Sequence, residues 1–408
     1  MKKIIISLSL LISCIALFGS FEFFPGNPAN IADRNYTHIT FPGLTYEFNI
    51  NNTLLQLDDI NMFQEGRLLT EGEKKKLTSG NLDLLGDFKT TILDFGNKNW
   101  NFSFEAISAF KLGVLDKTYS KIVFYGNEVN HPYSTEVGKG SEAFAYWKAS
   151  FAYALPFDLN LGMISGVFPA ETDNVVLSTL RDMPISVGAN LNINYSFEYG
   201  GLIESSQEFG SLPEQNYYDI NALYVYTDEK STGSMNPSLG FGFKAKILDG
   251  FFHFDIDDIF LQLTYRNLAG GEFVKVGVDS LLYLQEGHEI FEIENSENDS
   301  LRLDKHTVKI KPSISIGAEY AILNNLDVMM KYSSNELIQT DGFAIGASYL
   351  WDIVPFQAIF GFSENSYYRF QTGLKFSKFE WATGLTFYHG FFRYAEGIGL
   401  NSSIDFRF

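Results

Sequence analysis

The chain holds one cysteine, Cys14, and it lies near the start. If the segment around it is removed, no disulfide, thiol nucleophile or thiolate metal site remains. Basic residues are scarce: 30 Lys and Arg stand against 49 Asp and Glu, a net charge of −19. That balance excludes a nucleic-acid-binding surface, which needs clustered cations. No second long apolar run follows the N-terminal one, and mean hydropathy is −0.04. A bundle of membrane helices, each needing ~20 apolar residues, is excluded. The six histidines include no pair at the i, i+4 spacing of a helical metal site, and neither G-x-S-x-G nor G-x-x-x-x-G-K-[ST] occurs. No enzyme and no cofactor is expected, and the histidines read as ordinary strand and loop residues.

What is present begins with "MKKIIISLSLLISCIALFGS". Two lysines, an apolar run from Ile4 to Phe18 and small residues Gly19 and Ser20 have the layout of a secretory signal peptide over residues 1–20. Export is therefore expected. Lipidation at Cys14 in "LISC" is the competing reading. Against it, "IALFGSFEFF" stays apolar where a tethered lipoprotein starts with a polar linker.

Aromatics are abundant, with 39 Phe and 22 Tyr, and the dominant signal has period two, the period of a strand with unlike faces. In "SVGANLNINYSFE" (186–198), Val187, Ala189, Leu191, Ile193, Tyr195 and Phe197 oppose Ser, Gly and Asn. "YRFQTGLKFS" (368–377) and "FEWATGLTF" (379–387) alternate in the same way, as do about ten further segments, with weaker ones at 217–227 and 326–333. The polar face carries Gly, Ser, Asn, Thr and Gln, unlike the Lys/Glu-rich wet face of a soluble sandwich. Apolar-out, polar-in strands with many aromatics predict an all-β chain: a transmembrane antiparallel β-barrel of about 14 strands, closed because lipid tolerates no open sheet edge.

The last strand, "NSSIDFRF", carries Ile404, Phe406 and Phe408 on one face and Ser403, Asp405 and Arg407 on the other. In a closed barrel this strand pairs with the first. A terminal aromatic preceded by alternating apolar residues is the C-terminal pattern by which outer-membrane barrels resemble one another, read by their assembly machinery. Connectors alternate short ("LPFD" at 155–158, "NNL", "DIVP", "SKF") with long: 168–184, 200–216 and 280–304. The long ones are expected outside the cell and the short ones in the periplasm. Residues 54–86 read as a small helical insertion between the first two strands, with "TEGE" (70–73) at capping-box spacing. The insertion could fill or gate the lumen, dock a periplasmic partner, or be a plain excursion. In "HFDIDDIF", Asp255, Asp257 and Asp258 are the best weak candidates for a metal, since calcium takes carboxylate oxygens. They lack the Gly and terminal Glu of an EF-hand, and a solvated loop is the plainer reading.

"FFPGNPANIAD" (23–33) resembles the N-terminal Asn-Pro-Ala motif of the FadL-like barrels, the long-chain fatty-acid outer-membrane transporters, a group that includes the PorV-like barrels. The motif residues here are Asn27, Pro28 and Ala29. The insertion at 54–86, "FYGNEVN" (124–130) and residues 138–162 look more like a separate branch of that group. The resemblance implies a 14-stranded barrel at 43–408 with an N-terminal plug segment at 21–42. It also implies a pocket for hydrophobic molecules that leave laterally through a strand kink. The long insertion departs from the transporter pattern.

The leading expectation is a monomeric barrel of the outer membrane, among lipid and lipopolysaccharide, that passively transports or binds small hydrophobic molecules. The alternative is a scaffold or anchor for secreted or surface proteins; third is an aqueous porin, and fourth a soluble secreted β-protein. Lumen composition separates the first two: a transporter needs a continuous apolar pocket, a scaffold a filled lumen and a broad loop surface.

Overall fold

The structure is a computed structural model, and it describes residues 23–40, 45–59, 68–126, 128–136, 138–160, 182–212, 215–280, 301–334, 342–362 and 366–408. The signal-peptide reading of 1–20 and Cys14 fall outside these residues. In chain order the strands are β1 His38–Thr40, β2 Thr45–Asn52, β3 Leu82–Gly96, β4 Trp100–Leu115, β5 Tyr133–Thr135, β6 Glu142–Asn160 and β7 Asp182–Leu212. Then follow β8 Gln215–Tyr226, β9 Thr232–Gly233, β10 Met235–Ile247, β11 Gly250–Ile259, β12 Gln262–Ser280, β13 Leu301–Lys309 and β14 Ser313–Leu323. The last six are β15 Leu326–Ser334, β16 Gly342–Trp351, β17 Val354–Phe362, β18 Tyr367–Phe376, β19 Phe379–Tyr388 and β20 Gly397–Arg407.

The wall is antiparallel throughout and closes on itself with 14 strands. β1 and β2 stack end to end as its first strand, and both pair with β3 on one side and β20 on the other. The circuit runs on through β4, β6, β7, β10, β11 and β14, then hairpin by hairpin to β20. Closure leaves no unpaired edge in the wall, the condition for spanning lipid.

Alternation sets the two faces. On β14, Ile314, Ile316, Tyr320 and Ile322 are exposed, and Ser313, Ser315, Gly317 and Glu319 alternate with them. On β6 and β7, Phe151, Tyr153, Leu191 and Ile193 are exposed, whereas Lys148, Asn192 and Asn194 are buried. In water such an apolar belt would be a liability; in a bilayer it is the solvated surface. No described helix is long and apolar enough to cross a membrane; the strands cross.

Several parts differ from the sequence reading. Residues 155–158 are not a turn but lie within β6. The connector read at 200–216 is not a loop: 200–212 extend β7 and 215–216 open β8, which continues over the weak strand read at 217–227. Together β7 and β8 make a tall hairpin continuous with the wall. In the 54–86 insertion the helix, α1, covers only Glu71–Leu77, with the Thr70–Glu73 capping box formed, and Leu82 already starts β3. β3 itself went unread because its ladder with β4 shifts register between Thr91 and Leu93, which breaks the period of two. A second helix, α2 (Lys117–Tyr125), is capped by Asp116, whose side chain accepts from the Thr118 and Tyr119 N–H groups.

The run 258–266 also divides. β11 ends at Ile259, the chain turns at Phe260, and β12 and β13 fold as a hairpin over the mouth on the long-connector side. The connector 168–184 lies almost wholly outside the described residues. The strand ends that flank it, Asn160 and Asp182, pair with each other on the short-turn side.

Candidate functional site

The lumen is occupied by the chain itself at three levels. At the short-turn end sits a 3-10 turn, Pro28–Asp33, capped by Asn27. The Asn27 side-chain Oδ1 accepts from the Ala29 N–H at 2.9 Å, and its side-chain Nδ2 donates to the Phe243 carbonyl at 3.0 Å. One side chain thus both shapes the turn and ties it to β10. Opposite Pro28, Gly188 and Gly242 face each other across β7 and β10. A Cβ on Gly188 would lie 2.5 Å from the Pro28 carbonyl carbon, so only a bare backbone admits the turn. Phe24 stacks on His253 with ring centroids 4.3 Å apart, and Ile31 and Ala32 meet Ala152 and Ala154. Lys244 pairs with Asp33 at 2.6 Å.

Across the middle runs a charged belt. Lys148 Nζ lies 2.9 Å from Asp257 and 2.8 Å from Asp258. Asn190 and Asn192 donate to Asp257, and Ser238 donates to Asp258 at 3.0 Å. Lys89 pairs with Glu105 at 2.9 Å and Arg369 with Glu47 at 3.1 Å. Charges held away from bulk water require such partners.

At the far mouth, Leu261, Leu263, Tyr265 and Leu268 of the inserted hairpin are fully buried. They meet Ile107, Ala109, Phe144 and Tyr146 of the wall, and Ser196 Oγ donates to the Thr264 carbonyl at 2.7 Å. Outside the mouth Arg302 forks onto Asp228 at 2.9 and 2.6 Å. That hydrogen-bonded guanidinium holds the Asp228 carboxyl well below its ordinary range.

Between hairpin and wall lies a cavity of about 300 Å³, walled by Leu85, Ala109, Phe144, Val308 and Ile310 and rimmed by Lys111, Glu142 and Lys309. A second space of about 240 Å³ lies beside the belt, lined by Glu47, Lys89, Glu105, Lys331 and Arg369. A third, about 450 Å³, lies at the short-turn end beneath Phe24, with Asp33, Lys244, Glu319 and Arg407 on its walls.

The residues singled out from sequence fall as follows. Asn27, Pro28 and Ala29 lie inside the lumen, buried. Asp255, Asp257 and Asp258 are on β11, not in a solvated loop: His253, Asp255 and Asp257 alternate with Phe252, Phe254 and Ile256. The Lys148 ammonium already occupies two of the three carboxylates. Among the described residues no group of three or more His, Cys, Asp or Glu could hold a metal. Ile404 and Phe406 lie opposite Trp381 and Phe379, and the Phe408 N–H donates to the Thr37 carbonyl at 2.8 Å. Lys148, Gly188, Gly242 and the inserted hairpin escaped the sequence reading; the pairing of Lys148 with Asp257 spans 109 positions and leaves no local signal.

No family model matches the chain, and no curated protein matches it. Solved structures similar to it include CymD, a monoaromatic hydrocarbon channel, at 12% identity over 96% of this chain and 94% of that one, with a TM-score of 0.40. A Pseudomonas aeruginosa FadL homologue is 12% identical over 94% and 90%, with a TM-score of 0.42. The Pseudomonas putida toluene transporter TodX is 8% identical over 96% and 94%, with a TM-score of 0.44. The fold stands on the chain's own ladder, independent of these likenesses. Closed through β20 and β2 and belted with apolar side chains, the chain is a fourteen-stranded β-barrel of the outer membrane.

Proposed function

We propose that this barrel binds small hydrophobic molecules at its outer mouth and passes them passively across the outer membrane. The observation that carries the reading is the cavity of about 300 Å³ beneath the inserted hairpin, where Leu85, Ala109, Phe144, Val308 and Ile310 sit beside the charged Lys111, Glu142 and Lys309. Ligand sites start near ~300 Å³ and combine apolar side chains with polar groups, so the space suits a compact molecule with an apolar body. The charged belt and the N-terminal turn obstruct a straight axial path, so onward passage needs one of them to move or a lateral exit.

The test is equilibrium binding of a radiolabelled monoaromatic hydrocarbon to the purified barrel, compared with Ala109→Trp, which fills the cavity. Saturable binding weakened roughly tenfold or more by the substitution supports the reading, because overfilling a site costs ~1–3 kcal/mol. Absence of saturable binding, or equal binding by both proteins, contradicts it.

A scaffold role is favoured by a different observation. The chain itself occupies the lumen at three levels, and β7 and β8 rise above the wall with Tyr224 and Tyr226 stacked and exposed. Capture of a secreted protein that depends on Tyr224 and Tyr226, together with no hydrocarbon binding, would establish that alternative. An aqueous porin would show a charged constriction, and the belt has the charges, but they are spent on one another.

A further inference from the structure

The outer wall carries a depression that plays no part in transport through the lumen. On the lipid face of β16 to β19, Ala347 lies opposite Ala358, and Thr372 opposite Thr383. These four small side chains form the floor of a groove of about 590 Å³. Bulky neighbours wall it: Phe356 opposite Thr372, Phe370 opposite Ala358, and Leu385 opposite Leu400.

The groove leads to a polar end. Phe370, on its wall, contacts Phe391 at 5.7 Å between ring centroids. Phe391 contacts Phe392 at 4.2 Å. Next in the chain, Arg393 lies 4.7 Å from the Tyr394 ring centroid and donates to its hydroxyl at 2.5 Å. These residues belong to the connection between β19 and β20 on the long-connector side, so the aromatic path climbs from mid-membrane toward the outer headgroup level. Phe392 and Tyr394 are exposed, and Tyr394 is an amphipathic ring of the kind enriched at membrane interfaces. Asp58 is the carboxylate whose charge acts on Arg393.

A lipid-facing groove in a bilayer is filled by hydrocarbon, and a cation at its outer end selects among hydrocarbons by headgroup. We infer that the groove holds one acyl chain of a phosphorylated outer-leaflet lipid, with its phosphate on Arg393. The occupant follows from three facts together: the groove is apolar, it faces the bilayer, and the ring contacts Phe370–Phe391–Phe392 lead from its wall to the segment that carries Arg393. A guanidinium presents a fork of donors suited to phosphate oxygens.

The experiment is native mass spectrometry of the barrel released from lipid nanodiscs containing lipid A, read against Ala358→Trp, Arg393→Gln and Leu191→Trp. Leu191 is exposed on β7, away from the groove. Each protein is first checked for its faster-migrating unboiled form on SDS gels, so a folding failure is seen separately. The inference predicts one retained lipid A per wild-type barrel, the same for Leu191→Trp, and roughly tenfold less for Ala358→Trp and Arg393→Gln. It is overturned if the wild type releases lipid-free, if all variants retain lipid equally, or if the groove holds a second barrel instead.

Discussion

Lys148 on β6 reaches Asp258 at 2.8 Å, and Asp258 sits where β11 leaves the wall to become the inserted hairpin. One cation therefore joins two wall strands that are separated by β7 and β10, at the point where the chain turns inward. Asp258 has a φ of 57° and Phe260 one of 70°, both left-handed, so the turn is held against a local preference. The ion pair supplies that hold.

Replacing Lys148 with methionine leaves Asp257 and Asp258 without their cation. Removing one partner of a buried pair costs about 3–5 kcal/mol. The expected outcome is a lower temperature for loss of the fast-migrating gel form, with a rise in ion conductance as the hairpin loosens. Asp257→Asn combined with Asp258→Asn in the same background should recover part of both. A Lys148→Met protein as heat-stable and as tightly closed as the wild type would contradict this role for the ion pair.

Gly188 and Gly242 make the bare patch on which Pro28 rests. Gly188→Leu should displace the N-terminal turn without opening the wall, since its neighbours on β6 and β10 stay paired. Planar-bilayer recordings should then show larger or more frequent openings at an unchanged gel shift. An unchanged conductance would mean that the turn does not obstruct the lumen.

The Arg302–Asp228 pair gives the mouth a pH dependence with a definite sign. Asp228 is held below its ordinary value by the Arg302 hydrogen bonds. Its contribution is therefore fully present above the unfolded carboxyl value, about 3.9. It is lost as pH falls from there through the folded value. Proteolytic nicking of the hairpin should be flat between neutral pH and about pH 5 and rise below about pH 4. Arg302→Gln should abolish the step, and a step that survives the substitution belongs to other groups.

Much of the wall was legible because lipid outside and polar side chains inside impose one rhythm on every strand. Ile314 to Glu319 and Phe251 to Asp257 show it without interruption. The inserted hairpin was not legible, for the same reason. Leu261, Leu263 and Tyr265 alternate with Gln262 and Thr264 as a wall strand does, and local period does not say whether the apolar face meets lipid or the lumen. β3 was lost to a bulge, and α2 was too short to declare itself. Asn27, Pro28 and Ala29 stood out as a motif. Their seat did not, since it is built from two glycines on strands far away in the chain.

At the seam, the Phe408 N–H donates to Thr37 at 2.8 Å and the Thr37 N–H returns a bond to Phe408 at 3.1 Å. The Arg407 guanidinium reaches Glu380 at 2.6 Å from the lumen side. Loss of Phe408 removes one backbone pair and an exposed aromatic, so a smaller fraction of the protein should assemble. Phe408→Tyr should restore it, which would tie the effect to the ring and not to chain length alone.

Electrophoresis of the outer-membrane fraction with and without boiling tests the closed barrel most directly. The account predicts that the unboiled protein migrates faster than the boiled one, and that deletion of Phe408 diminishes the fast band. Recovery of the protein from the soluble fraction, with a single band under both conditions, would contradict it.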